Sequence, residues 1–277
     1  MSRMLPWIIA VFVVLPMSLE AQDNIHLLFT SNSNGKYENC RCPEYPYGAL
    51  ERRAQFIAEY MAQYPEAIVL DNGDNFLHGM RAEEKTLVAR IFSLIPYDII
   101  NVGDQDMAFG SDPFMEMTVS HPVTRPATIS RQNADISVLP VFHPGTTKFY
   151  PEGFFKDVEM PDPEQSIQRW LRRSSGMIQI LLSHSGYDQD VKFAEQYPEI
   201  DLIIGGHSQT VIDTLHSING VLVQQAGGNA EYVGEIVFRI SDKNLTPVFY
   251  KLHPMEDSIE THPQVKAWLK ELHSPEN

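Results

Sequence analysis

The sequence predicts an α/β fold in which two packed β-sheets are flanked by helices. In the first half of the chain, short apolar segments alternate with amphipathic segments of helical periodicity. From Thr210 onward the pattern changes to consecutive short β-segments separated by turn residues. In addition, four apolar segments end in turn residues together with an aspartate or a histidine. Ligands of open α/β sheets bind outside the carboxyl ends of the strands, so these four ends mark the expected site.

The first half is predicted to alternate strands and helices. Predicted strands cover residues 25–31, 68–70 and 97–102. Predicted helices cover residues 51–64 and 83–95, and Pro96 ends the second one. The polar stretch 32–48 forms a long loop after the first strand, and long loops in such places are often functional.

The second half is predicted to add further strands and three helices. Beyond residue 111 we expect extended pieces at 127–130, 136–142 and 147–154. A helix begins at Asp162-Pro163 and ends at Gly176, and another covers 190–197. Strands are expected at 177–182, 202–204 and 210–218, with an Asn219-Gly220 hairpin leading to 221–225. Residues 232–240 and 246–252 are expected to continue that sheet, and Thr261 opens a last helix in capping-box spacing.

Residues 1–21 have the pattern of a secretory signal peptide, and residues 22–277 are predicted to form one domain. Arg3 gives a basic start, and residues 5–16 form an apolar core that is short for a bilayer span. Leu19-Glu20-Ala21 is the expected cleavage site. An uncleaved amino-terminal anchor is the alternative. We therefore expect a periplasmic or secreted protein with no membrane contact after removal of the signal.

The charge of the chain argues against nucleic acid as a partner. The formal net charge is −15, and it is unchanged in residues 22–277 because Arg3 and Glu20 cancel. Such a chain repels nucleic acids and anionic membrane surfaces. A small anionic substrate would need a local cation, either a metal ion or an arginine. The sequence identifies no protein partner.

The four strand ends carry Asp74, Asp104, His184 and His207. Each has a structural alternative when taken alone, since an aspartate can cap a turn and a histidine can be a hydrogen-bonded core residue. Together they predict one metal site with Asp74 at its centre, because carboxylate and neutral imidazole are the ligands of catalytic divalent ions. We expect Mn, Zn or Fe, as one ion or as two.

Three motifs give the chain a resemblance to a known family. The segments 70–76 (Leu-Asp-Asn-Gly-Asp-Asn-Phe), 183–186 (Ser-His-Ser-Gly) and 201–208 (Asp-Leu-Ile-Ile-Gly-Gly-His-Ser) resemble the calcineurin-like metallophosphoesterase superfamily. Within it, the chain looks like the catalytic domain of periplasmic 5′-nucleotidases from about residue 25 to about residue 252. The resemblance implies a four-layer α/β/β/α sandwich of two mixed sheets. It also implies a metal-dependent phosphoric ester hydrolase whose catalytic positions are Asp74, Asp104, Gln105 and His184.

The chain departs from the family pattern at one half of the site. Asn32 and Asn34 stand where the family has Asp-x-His, and Gln209 replaces the second histidine of Gly-His-x-His. Gln105 replaces the histidine that contacts the phosphate and assists the leaving group. The resemblance thus implies one intact metal site and a second site, sharing Asp74, that has lost its ligands. The nucleotidases also carry a carboxyl-terminal domain for the nucleobase, and we do not predict nucleotide specificity.

The loop after the first strand contains residues that could replace the lost ligands. Cys40 and Cys42, with Glu38, are candidate ligands of the second site, because thiolate binds soft and borderline metals. The alternatives are a redox-labile pair or two loop thiols, and a disulfide across one residue is expected to be strained. Arg52 or Arg53 could bind an oxyanion, and a solvated helix face is the alternative for each.

Two functions follow from these observations. The leading one is an exported hydrolase of a phosphate ester or related oxyanion ester. The second is a non-catalytic relative that binds a metal or an oxyanion and is linked to a redox partner through Cys40 and Cys42.

Overall fold

The computed structural model describes residues 24–40, 47–110, 125–131, 134–241 and 244–274. The predicted signal peptide (1–21) and Cys42 lie outside these residues. Within them, none of the helices combines the length and the apolar content that a membrane span requires.

Eleven strands and five α-helices are present in the described residues. In chain order the strands are β1 (Asn24–Thr30), β2 (Ile68–Asp71), β3 (Ile99–Ile100), β4 (Ala127–Arg131), β5 (Ala134–Phe142), β6 (Ile178–His184), β7 (Leu202–Gly205), β8 (Ser217–Ile218), β9 (Val221–Gln224), β10 (Tyr232–Ser241) and β11 (Asn244–Pro254). The helices are α1 (Leu50–Gln63), α2 (Ala82–Leu94), α3 (Pro163–Arg173), α4 (Tyr187–Gln196) and α5 (Pro263–Leu272).

The strands form two mixed sheets. The first has the order β11-β10-β1-β2-β3, in which β1, β2 and β3 are parallel and β10 and β11 are antiparallel to their neighbours. The second has the order β4-β5-β6-β7-β9-β8, in which the four central strands are parallel and both edge strands are antiparallel. The candidate ligands lie at the carboxyl ends of parallel strands in both sheets.

Three apolar clusters hold four layers together. Residues such as Phe29 of β1 and Leu182 of β6 fill the space between the two sheets. The helices α1, α2 and α5 cover the outer face of the first sheet, and α3 and α4 cover the outer face of the second. The predicted α/β/β/α sandwich is therefore confirmed. Burial on both faces explains why the central strands are continuous apolar runs.

Several predicted elements are confirmed closely. The helices α1 and α2 begin and end within one residue of the predicted bounds, and α3 begins at Pro163 with Asp162 as its cap. The Asn219-Gly220 hairpin connects β8 and β9 as predicted.

Other predicted elements are wrong. Residues 232–240 and 246–252 do not continue the second sheet, because β10 pairs with β1 and so extends the first sheet. Residues 147–154 are not extended: a 3₁₀ helix (Pro144–Phe149) forms instead, started by Pro144 and capped by the His143 ring. Most of 210–218 is irregular, and the strand 97–102 shortens to β3. The last helix is capped by His262, while the Thr261 hydroxyl donates to Glu51.

Candidate metal centre

Four side chains from four strand ends meet at one point. Asp74 follows β2, Asp104 follows β3, His184 ends β6 and His207 follows β7. One ligand atom from each lies within 4.8 Å of the other three, and all except His207 are buried. The convergence expected from the sequence is thus observed for all four residues.

The distances within this four-residue cluster suit a small divalent ion. The Asp104 Oδ1 atom is 2.9 Å from His207 Nδ1 and 3.2 Å from His184 Nε2, and Asp74 Oδ1 is 3.4 Å from the same His184 atom. Ligand atoms that each sit about 2.0–2.2 Å from one ion are separated by distances of this order. Two carboxylates and two imidazoles suit Zn, Mn or Fe.

A backbone contact fixes the tautomer of His184. Its Nδ1 atom is 2.7 Å from the carbonyl oxygen of Asn72. Because a carbonyl oxygen can only accept, Nδ1 donates a proton to it, and Nε2 is the nitrogen directed at Asp104 and Asp74. The Phe142 ring lies nearly parallel to the imidazole at 6.2 Å between centroids. Such outer contacts are typical of metal-binding histidines.

Two buried asparagines that the sequence analysis did not single out join the ends of the two sheets. Asn72 donates its side-chain amide to the carbonyls of Ser183 and Ile204, at 2.9 and 2.8 Å. Asn101 donates to the Asn72 side chain and to the carbonyls of Val141 and Leu182, at 2.8 to 3.1 Å. These bonds run from β2 and β3 to β5, β6 and β7. The two asparagines therefore hold the ligand-bearing strand ends in register.

Asp106 shapes the turn that carries Asp74. Its carboxylate accepts from the backbone N–H groups of Asp74 and Gly103, at 2.8 and 2.9 Å, and of Asn75, at 2.6 Å. The turn at Gly103 lies so close to the turn that carries Asp74 that a Cβ on Gly103 would be 2.1 Å from Asp74 Oδ1. The signal for Asp106 in the sequence was its position three residues after Gly103, which permits a local turn.

The positions of the altered motifs are connected by side-chain amides. The Gln105 Nε2 atom donates to Asp74 Oδ2 at 3.2 Å and to Asn34 Oδ1 at 2.9 Å. The Asn34 amide in turn donates to Asn229 Oδ1 at 3.2 Å. This amide chain (Asn229, Asn34, Gln105) therefore ends on the Asp74 oxygen that the four-residue cluster does not use. Gln209 is exposed and lies against Gly228.

Asn32 contributes in a different way. Its side-chain amide donates to the carbonyl of Gly227 at 2.9 Å, and its oxygen accepts from the backbone N–H of His207 at 2.9 Å. Asn32 therefore positions the backbone of one candidate ligand.

Tyr150 is a residue at the centre that the sequence did not reveal. Its hydroxyl donates to Asp104 Oδ2 at 2.7 Å. Burial and this hydrogen bond raise the pKa of Tyr150 above its ordinary value, so the hydroxyl stays protonated and continues to donate. The other Asp104 oxygen remains directed at the two histidines.

Comparison with known proteins shows what the chain is similar to. No family model matches the chain. The chain is 24% identical to a snake venom 5′-nucleotidase from Crotalus adamanteus, over 67% of the chain and 35% of that protein. It is 23% identical to an apyrase from Tabanus yao, over 95% of the chain and 56% of that protein. The chain thus spans less than two thirds of the length of these curated relatives.

Solved structures show the same fold. A 5′-nucleotidase precursor from Thermus thermophilus matches with a TM-score of 0.76 at 19% identity, over 89% of the chain and 57% of that structure. The calcineurin-like phosphoesterase YfkN from Bacillus subtilis matches with a TM-score of 0.63 at 16% identity, over 90% of the chain and 96% of that structure. The chain is thus similar in sequence to 5′-nucleotidases and other phosphoesterases and shares their fold, which agrees with the resemblance to the calcineurin-like metallophosphoesterase superfamily.

The two arginines predicted to bind an oxyanion instead form hydrogen bonds and ion pairs with other residues of the chain. Arg52 donates to the carbonyl of Met255 at 3.1 Å and pairs with Asp257. Arg53 is buried, donates to Ser33 Oγ at 2.8 Å, and lies 3.9 Å from Asp71. Neither contact set includes a residue of the four-residue cluster. Arg53 instead supports the loop that carries Asn32 and Asn34.

The loop after β1 was predicted to supply ligands from Glu38, Cys40 and Cys42. Cys40 is disulfide-bonded, so it offers no thiolate in this state. The Glu38 carboxylate lies 3.1 Å from the ring of His273, the residue that follows α5. Cys42 lies outside the described residues. Neither Cys40 nor Glu38, the two predicted ligands in the described part of this loop, is therefore free to act as a ligand at the candidate metal centre.

The electrostatics of the centre favour a bound cation. Burial alone would raise the pKa of Asp104, but its hydrogen bonds with His184 and His207 outweigh burial and lower that pKa. Burial alone would lower the pKa of His184, but the charge of Asp74 and the bond to Asp104 raise it well above its ordinary value. The carboxylates therefore attract positive charge at this point, and a metal ion would replace the proton.

Proposed function

We propose that this protein is an exported, metal-dependent hydrolase of phosphate esters or related oxyanion esters. The observation that carries the proposal is the four-residue cluster, in which Nε2 of His184 is directed at two carboxylates. The relatives named 5′-nucleotidase and apyrase support a small anionic substrate. The predicted signal peptide supports a periplasmic or secreted location.

The four-residue cluster fits a single divalent ion. Asp74, Asp104, His184 and His207 would hold it, and when bound it would supply Lewis-acid chemistry and an activated water. A second ion would find its ligand atoms already in use. Asp74 Oδ2 accepts a hydrogen bond from Gln105, and the neighbouring Asn34 is part of the amide chain. Neutral amides are weak ligands beside carboxylates and imidazoles. We therefore propose one ion rather than two.

Gln105 determines which esters react well. Its amide donates to Asp74 and Asn34, and it cannot transfer a proton near neutral pH, whereas a histidine can. The leaving group must then depart without a protein acid at this position. Esters with acidic leaving groups are the favoured substrates. Gln105 itself orients Asp74 through its hydrogen bond to Oδ2.

A second candidate function is a non-catalytic metal-binding relative. The observation that favours it is that the Gln105 amide is satisfied by Asp74 and Asn34 of the same chain. The disulfide at Cys40 argues against a thiolate ligand, and in this function the cysteine serves a redox partner instead. In this function the protein binds one ion and does not turn over esters.

Turnover and metal content together separate the two functions. Purified protein is assayed with a panel of phosphate and sulfate esters in the presence of Mn²⁺, Zn²⁺ or Fe²⁺, and bound metal is measured by elemental analysis. We expect ester hydrolysis that is lost in Asp74→Ala and unchanged in the exposed control Asp213→Ala. One bound ion without turnover would support the second function, and no bound ion would contradict both.

A further inference from the structure

A cluster of aromatic rings lies beside the metal centre and has no role in the proposed hydrolysis so far. The Tyr150 ring is 4.9 Å from that of Phe155, 5.5 Å from Phe154 and 6.1 Å from Phe109, measured between centroids. His78 packs on Phe109 at 5.0 Å. The rings are tilted or edge-on to one another, which is a favourable arrangement for aromatic pairs. We call these five residues the aromatic cluster.

The aromatic cluster is joined directly to the centre. Tyr150 belongs to both, because its hydroxyl donates to Asp104 while its ring carries the contacts with the two phenylalanines. A single tyrosine side chain therefore separates a candidate metal ligand from the ring of Phe154. A group bound at the centre and a group lying on Phe154 would be neighbours.

The outer side of the aromatic cluster is open to solvent. The Phe154 side chain is 48% exposed although it packs on Tyr150 and Phe155. Exposed apolar residues scattered singly are ordinary, whereas several contiguous rings next to a site mark a binding surface. Phe249 on β11 is 46% exposed and packs in no ring pair with the described residues, so it serves as the single-residue comparison.

We propose that the aromatic cluster binds the planar aromatic group of an ester whose phosphoryl group lies at the metal centre. This inference rests on the proposed function and names its substrate class, an aryl phosphate. An added ring can extend the cluster by the same tilted and edge contacts that its members already make. The class also suits Gln105, because an aryl oxide leaves more readily than an alkoxide when no protein acid is available.

Equilibrium binding tests the proposal without requiring turnover. The dissociation constants of 2-naphthyl phosphate and of inorganic phosphate are measured by titration calorimetry with the intact metal-loaded protein at low temperature. The variants are Phe154→Ala, Phe154→Trp and the matched control Phe249→Ala. We expect Phe154→Ala to weaken binding of naphthyl phosphate about two- to ten-fold. Phe154→Trp should restore it, and inorganic phosphate should bind equally to all four proteins.

Two results would overturn the proposal. One is a naphthyl phosphate dissociation constant in Phe154→Ala that equals the value for Phe249→Ala. The other is an equal weakening of naphthyl phosphate and inorganic phosphate, which would place Phe154 in general support of the centre. The proposed function is judged separately, because selective weakening in a protein that binds but does not hydrolyse the ester would support the aromatic cluster and contradict hydrolysis.

Discussion

Backbone conformation explains why asparagine is found at two of the altered motif positions. Asn32, Asn34, Asp74 and His207 all have positive φ values, between 48° and 68°. Asparagine and aspartate tolerate this left-handed region better than other non-glycine residues. Asn32 and Asn34 therefore keep the turn while their amides bind His207 and Gln105.

Replacing Gln105 by histidine should restore an acid near the leaving group. We expect Gln105→His to raise turnover of an alkyl phosphate by about ten-fold or more, because general acid catalysis typically contributes 10²- to 10⁴-fold. Turnover of p-nitrophenyl phosphate should change little, since that leaving group needs no proton. The control is Gln105→Asn. Equal gains on both substrates would contradict the assigned role of Gln105.

Asp190 predicts a pH effect on stability. Its buried carboxyl makes no hydrogen bond of normal geometry and packs against Gly205, and burial raises its pKa well above the ordinary value. Because the pKa of Asp190 is higher in the folded state than in the unfolded state, the folded state keeps this proton at pH values where the unfolded state has lost it. Stability therefore falls as pH rises from the unfolded value of 3.8 toward the raised folded value.

The substitution Asp190→Asn should remove this titration. We expect the free energy of unfolding of the variant, relative to the original protein, to increase as the pH rises above the unfolded pKa of Asp190, as measured in urea titrations. The control is the exposed Asp188→Asn on the same helix, which should run parallel to the original protein at every pH. A difference for Asp190→Asn that is constant with pH would contradict the argument.

At the scale of elements, the ends of the parallel strands create the site and two asparagines hold them together. Asn72 and Asn101 are both buried and donate across the gap between the sheets. They satisfy strand-end carbonyls that would otherwise be buried without partners. The position of each ligand therefore depends on a contact between sheets as well as on its own strand.

Removing this contact should weaken the fold and the site together. We expect Asn101→Ala to lower the free energy of unfolding by about 2–4 kcal/mol, because it leaves several buried groups without partners. Metal affinity should fall as well, since β3 leads directly to Asp104. Denaturant unfolding and metal titration measure the two effects, with the exposed Gln196→Ala as control. If Asn101→Ala were destabilised but bound metal with full affinity, the contact between the sheets would not be needed to position the site, and the prediction would be contradicted.

The sequence predicted the strand ends better than the sheet to which each late strand belongs. The convergence of the four candidate ligands could be predicted because each apolar run ends in a visible turn with an Asp or His. The placement of β10 beside β1 could not, because Leu27 pairs with Ile236 across most of the chain and nothing local records that partner. Tyr150 and Asp106 were missed for a similar reason. Their roles consist of contacts with distant or backbone groups rather than of a motif.

At the scale of the whole molecule, the net negative charge of the chain and the two carboxylates of the centre mean that a bound cation should stabilise the folded state. The chain has a net charge of −15, and the cluster places two carboxylates within 4.8 Å of each other. A ligand that binds only the folded state adds stability according to its concentration relative to its dissociation constant. The metal should therefore act as a structural as well as a catalytic component.

Chelation should lower the melting temperature. Metal at 100 times its dissociation constant adds about 2.7 kcal/mol to the free energy of unfolding. We expect EDTA to remove this increment and excess Mn²⁺ or Zn²⁺ to restore it, as followed by calorimetric melting. In Asp104→Asn the same treatment should change nothing. A chelator effect of equal size in that variant would locate the stabilising ion elsewhere.

The number of metal ions per chain tests the account most directly. Elemental analysis after dialysis, combined with titration calorimetry, should give one divalent ion per chain, and none in His184→Ala or Asp104→Asn. Two tightly bound ions, or one ion that persists when either ligand is removed, would contradict a single centre built from the four strand ends.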